Sequence, residues 1–132
     1  MGYRSSVFYG ATFPTDIEAS TAMLAAKLKF DFDDAEDRDW FWDNKCEVSN
    51  NRIIFMVDSI KWYTKAAPIV NIINMFTWFN EELGANVRFI RVGEEQDDID
   101  DHTLLGADEY EDELLQYEVY TETYIVTPWG KV

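Results

Sequence analysis

Between Val92 and Gly130 the sequence holds no lysine or arginine, while the same stretch carries 13 carboxylates. Over the whole chain 26 acids stand against 11 bases, a formal net charge of −15. That balance repels phosphates and anionic lipid, so charge-driven grip on nucleic acid or on a membrane surface is excluded. The partner such a charge selects is a basic surface on another protein. Cysteine is also scarce. Cys46 stands alone, so it forms no internal disulfide and reads as a packed thiol in a reducing, cytoplasmic compartment. Long apolar runs are missing too, and nothing approaches the roughly 18 residues that a membrane span needs. The opening MGYRSSVFYGA lacks the apolar segment of a signal peptide. Ser6 fits the myristoylation pattern after Gly2, but Tyr3 and the absence of a basic patch argue against it.

Catalytic signatures are equally thin. The chain has no phosphate-binding loop, no G-x-G-x-x-G and no G-x-S-x-G. Its single histidine, His102, lies in an acidic run and completes no triad; it reads as a surface residue. Clustered carboxylates raise calcium, yet a loop begun at Asp98 has Thr103 where an EF-hand needs its turn glycine, although Glu109 falls at position twelve. The expectation is a protein that is not an enzyme, with no cofactor and no dedicated metal site.

What is present is a core. Hydrophobic residues make up 47% and aromatics 16% of the 132 residues, far too apolar for a disordered acidic tail. One domain over 1–132 is expected. A strand is predicted over 3–12, with Val7 and Tyr9 on one face and Phe8 on the other. Thr15 and Glu18 form a capping box for a helix over 15–29, in which Ile17, Thr21, Leu24 and Leu28 recur at helical spacing. Residues 30–44 read as an acidic loop ending in a short helix. Lys45–Val48 and Arg52–Val57 form a hairpin through Ser49-Asn50-Asn51, and 58–67 a connection.

Pro68 opens a helix that Gly84 stops, with a buried stripe of Ile69, Ile72, Ile73, Phe76, Phe79 and Leu83. Asn86–Val92 is a strand. An acidic connection follows, then one long alternating strand over 114–126. The order is β-α-β-β-α-β plus a terminal strand: an α+β domain of ferredoxin-like order, its antiparallel sheet carrying both helices on one face.

The carboxylates fall in three clusters, and these are the candidate partner-binding residues. The first holds Asp31, Asp33, Asp34, Glu36, Asp37 and Asp39, with Trp40 and Trp42 beside them either as interface anchors or as plugs closing the core. The second is Glu94, Glu95, Asp97, Asp98, Asp100 and Asp101, either helical with its acids outward or an extended charged strip. The third is Asp108, Glu109, Glu111, Asp112 and Glu113. A solvated surface is the plain alternative for each.

Three segments resemble a family of small tailed-bacteriophage proteins without an established activity: Met1-Gly2-Tyr3-Arg4-Ser5, Asp58-Ser59-Ile60-Lys61-Trp62-Tyr63, and Phe89-Ile90-Arg91-Val92-Gly93-Glu94-Glu95 followed by Asp97-Asp98-Ile99. The resemblance implies a phage setting, in the host cytoplasm. There, patterned carboxylates on a small fold are similar in kind to a DNA mimic that inhibits or modulates a host DNA-handling protein. The alternative is a non-enzymatic interaction or structural domain whose acidity serves solubility only. Nothing in these patterns sets the oligomeric state.

Overall fold

The computed structural model describes residues 3–95, 97–106, 118–120, 124–127 and 130–131. Strand β1 (Ser5–Thr12) is buried along its whole length, and it alternates as predicted. Val7, Tyr9 and Ala11 enter one apolar cluster and Phe8 enters another on the opposite face. Such two-sided burial marks a central strand. Indeed β1 pairs with β3 (Arg52–Ile60) on one side and β4 (Asn86–Gly93) on the other. Strands β2 (Cys46–Ser49) and β5 (Ile99–Leu104) complete an antiparallel sheet in the order β2-β3-β1-β4-β5. The domain is therefore α+β.

Helix α1 (Asp16–Lys29) starts at the predicted cap: the Glu18 amide donates to Thr15 Oγ1 at 3.2 Å. Helix α3 (Ala67–Glu81) has Pro68 in its first turn, and beyond its end Gly84 takes φ 71°, a left-handed angle that glycine adopts without strain. Both helices pack on the Val7–Tyr9–Ala11 face, as expected. Between α1 and β2, Asp34 caps a short helix α2 (Ala35–Asp39) by accepting from the Glu36 amide at 2.7 Å. The chain then widens into a π-helical turn, Trp40–Lys45, that buries Phe41. The β2–β3 hairpin turns on Asn50-Asn51, with Asn50 at φ 54°.

Several expectations are corrected. The helical set Ile17, Leu24 and Leu28 faces solvent, at 79%, 65% and 89% exposure. The opposite, small-residue face of Ala19, Ala22, Met23 and Ala26 is the buried one, because it lets α1 lie close on the sheet. In α3, Met75 belongs to the buried set, while Leu83, expected in the buried stripe, lies past the helix end and is exposed. Strand β3 runs on to Ile60, through Ser59 at φ 65° beside an irregularity in the β1 register.

The largest correction is at the acidic run. It is neither a helix nor a loose strip but a turn followed by β5, paired to β4 with Asp100 opposite Arg91 and Asp101 opposite Ile90. The fifth strand of the sheet is this one, not a C-terminal addition. The single strand expected over 114–126 is instead broken: β6 (Glu118–Tyr120) and β7 (Tyr124–Thr127) pair antiparallel, and β8 (Gly130–Lys131) joins β7 in a separate three-stranded sheet. Alternation fits both arms of a hairpin as well as one strand, so it does not reveal where a run folds back. Residues 114–117 and 121–123 lie outside the described residues. Strands β6 and β7 contact β4, and β7 also contacts β1. On the sheet face away from α3, Phe8, Ile54, Ile90 and Val92 are buried in a second apolar cluster.

Candidate functional site

In the second acidic cluster three of the six carboxylates, Asp98, Asp100 and Asp101, are paired with two arginines. Arg91 on β4 donates from Nη2 to Asp98 Oδ1 at 2.6 Å and from Nε to Asp100 Oδ2 at 2.7 Å. Its Nη1 reaches Ser5 Oγ at 3.0 Å. Arg88, almost wholly buried, forks onto Asp101 with bonds of 3.1 and 2.8 Å. From the N-terminal side, Tyr3 donates its hydroxyl to Asp98 Oδ2 at 2.6 Å and accepts the Glu95 amide at 2.8 Å. Glu94 accepts the Arg4 amide at 2.8 Å. Asp97 sits in the turn at φ 66°, and it is exposed, as are Glu94, Glu95 and Asp101. His102 lies with its ring parallel to Phe89, 6.2 Å away.

These contacts shift protons in a consistent direction. The Arg91 hydrogen bond, then the Tyr3 hydroxyl, hold the Asp98 carboxyl below its ordinary range. Desolvation first, and the bond to Asp98 second, push Tyr3 up. Because the folded-state value of Asp98 is the lower one, its stabilisation is complete above the unfolded value of about 3.9 and is lost as pH falls through the folded value. Urea midpoints should therefore fall more steeply between pH 5 and pH 2 for the native chain than for Asp98→Asn. Equal slopes would remove Asp98 from the acid response.

The first cluster is different. Asp31, Asp33, Asp34 and Asp37 line a cavity of 530 Å³, floored by Phe32, Pro68 and Val70. Asn71 on α3 donates to the Asp31 carbonyl at 3.3 Å and holds the segment against the helix. A neighbouring cavity of 570 Å³ shares Asp37 and Pro68 and adds Glu36, Trp40 and Ile69, and Arg4 and Lys61 line it too. Asp31, Asp33, Asp34, Glu36 and Asp39 are exposed and Asp37 is half-buried. Only Asp39 among them meets a cation among the described residues, Arg38 at 3.6 Å, a surface pairing worth little.

Trp40 and Trp42 serve the core rather than standing free. Trp40 meets Phe55 edge-on at 5.9 Å and Trp42 meets Phe41 at 4.7 Å, with the Lys27 ammonium 5.6 Å from the Trp42 ring. Asp108, Glu109, Glu111, Asp112 and Glu113 lie outside the described residues. The structure thus separates the two described clusters chemically: arginines hold three acids of one, Asp98, Asp100 and Asp101, while the other opens onto a groove.

Sequence reasoning missed the groove's other wall, Pro68, Val70 and Asn71, and the arginines that neutralise β5. Arg88 and Arg91 on a predicted strand, followed within a short turn by an acid run, were the available signal for that return strand. Cys46 is buried, and burial pushes its thiol up, which fits a packed and unreactive group. Among the described residues no group of His, Cys, Asp and Glu is placed to hold a metal ion, and no helix is long and apolar enough to cross a membrane. Comparison with protein-family models, with curated proteins and with solved structures gives no match to this chain.

Proposed function

We propose that this protein binds the basic, nucleic-acid-contacting surface of another protein and inhibits or modulates it, its carboxylates taking the place of phosphates. The observation that carries this reading is the groove wall: Asp31, Asp33, Asp34, Glu36 and Asp37 meet no cation among the described residues and surround an apolar floor. Duplex DNA presents about one charge per 1.7 Å of axis, and its partners carry matching Lys/Arg grooves. Fixed carboxylates beside Phe32 and Val70 suit an arginine or lysine side chain, whose stem is apolar and whose head is charged. In the phage setting that the sequence resemblance implies, the partner is a host DNA-handling protein in the cytoplasm. The same reading takes β1-α1-β2-β3-α3-β4 as a ferredoxin-like unit extended by β5. Its support is the interleaving: β3 lies between β1 and β2, and β1 between β3 and β4.

The test is capture of a partner from host lysate, followed by competition with duplex DNA and repetition with the five carboxylates changed to Asn or Gln. Release of the partner by DNA is expected, as is a loss of affinity of about 10–100-fold on neutralisation and steep weakening between 0.1 and 0.5 M salt. Binding that ignores both salt and the five substitutions would overturn the proposal.

A further inference from the structure

Helix α1 has two apolar faces, and the sheet uses one of them. The buried face is Ala19, Ala22, Met23 and Ala26. At 100° per residue, Ile17, Thr21, Leu24 and Leu28 form a row on the opposite side, pointing away from the sheet. Their spacings of four, three and four residues are those of a strict a/d seam, the pattern by which one helix packs against another rather than onto a sheet. All four are exposed, Leu28 at 89%. A cavity of 330 Å³ between α1 and the end of α3, lined by Phe13, Ile17, Thr21, Ala22, Trp78 and Leu83, widens the apolar surface on one flank.

The charges on α1 identify the occupant. Asp16 and Glu18 stand in its first turn, Lys27 and Lys29 in its last. A second α1 laid antiparallel sets the acidic turn of each copy at the level of the basic turn of the other, and opposes the two helix dipoles. The seam shares this symmetry about the midpoint between Ala22 and Met23. Position 17 falls opposite 28 and 21 opposite 24, and the acidic first turn of each copy lies level with the basic last turn of the other, so one two-fold axis matches the apolar row and the charges together. A parallel partner would place like charges at like levels.

We infer that the protein self-associates through α1 as an antiparallel two-fold dimer, with Ile17 against the Leu28 of a second copy and Thr21 against its Leu24. This inference is independent of the proposed function, because the acidic groove lies between α2 and α3, on other residues. The seam is short and two copies of charge −15 repel, so the dimer is a weak one, formed at high concentration and moderate salt.

Sedimentation equilibrium at up to about 1 mM in 0.3 M salt should show a monomer–dimer equilibrium. Leu24→Asp with Leu28→Asp should shift it at least about tenfold toward monomer, with an unchanged thermal melt because both side chains are exposed. Register is tested with cysteine variants, Cys46 being buried. A mixture of Ile17→Cys and Leu28→Cys chains should oxidise to the mixed disulfide dimer, while Ile17→Cys alone should not, since its two copies lie about 16 Å apart along the helices at 1.5 Å per residue. A monomer at all concentrations, a dimer indifferent to the Leu24 and Leu28 changes, or cross-linking of Ile17→Cys alone would each overturn the inference.

Discussion

Replacing Phe76 by alanine should destabilise the fold by about 3–5 kcal/mol, the range for deleting a large buried aromatic. The ring has no solvent exposure. It stacks on Tyr9 of the central strand at 4.6 Å with planes 14° apart, and meets Phe79 edge-on at 5.3 Å. It thus joins α3 to β1, and neither element can close the gap alone: β1 is fixed between β3 and β4, and α3 is seated by Ile69, Ile72 and Met75 on the same side. For a domain of this size total stability is about 5–15 kcal/mol, so the loss is about a fifth of it or more. Urea unfolding at neutral pH should show a lower midpoint with the slope retained. The Tyr9 phenol supplies a second readout. Burial pushes its pKa up to about 12; opening a cavity beside it should bring the value back toward 10. A loss under about 1 kcal/mol would mean that the helix layer closes over the site.

Arg88→Met should cost about 2 kcal/mol. A buried pair broken on one side costs about 3–5 kcal/mol, but Asp101 is 39% exposed on its side chain and can turn to water, which lowers the figure. What is lost is the clamp between β4 and β5, since the fork of Arg88 holds both oxygens of Asp101. Arg88→Lys should recover less than half of the loss, because an ammonium offers no planar pair of donors. Hydrogen exchange supplies the local check: amides of Ile99–Leu104 should exchange faster in Arg88→Met while those of β1 keep their protection relative to global stability. A uniform change across the sheet would remove the clamp role.

The elements themselves were legible wherever a local chemical signal existed. Thr15 and Glu18 marked a helix start, Pro68 and Gly84 bracketed another helix, and Asn50-Asn51 marked the hairpin; each acts within a few residues of itself. The faces were less legible. In α1 the large side chains Ile17, Leu24 and Leu28 drew attention, yet close approach to the sheet favours the small ones, and helical spacing does not say which of two apolar rows faces inward. The acidic run over 94–101 is hard to read from sequence for a related reason. Six carboxylates in eight positions suggest a free surface only while their partners are unknown, and Arg88, Arg91 and Tyr3 are partners set by strand register, a long-range property. The groove by Asp31–Asp37 was half legible: its acids are contiguous in sequence, but its floor comes from α3, some 35 residues further on.

The order of the sheet carries a consequence for how the chain is made. Of the five strands of this sheet β1 is synthesised before the others, yet its two neighbours are β3, beginning at Arg52, and β4, beginning at Asn86. During synthesis a strand that is wholly buried in the fold therefore waits with one edge open until about 40 residues have followed it, and with the other open for about 35 more. Only when Asp98 and Asp100 arrive does Arg91 gain its carboxylate partners, and only then can Tyr3 fasten the segment before β1 to the turn after β4. Contacts of such long sequence separation slow folding, because the loop between them must close before the pairing contributes. The strand made first is among the last to lose both open edges.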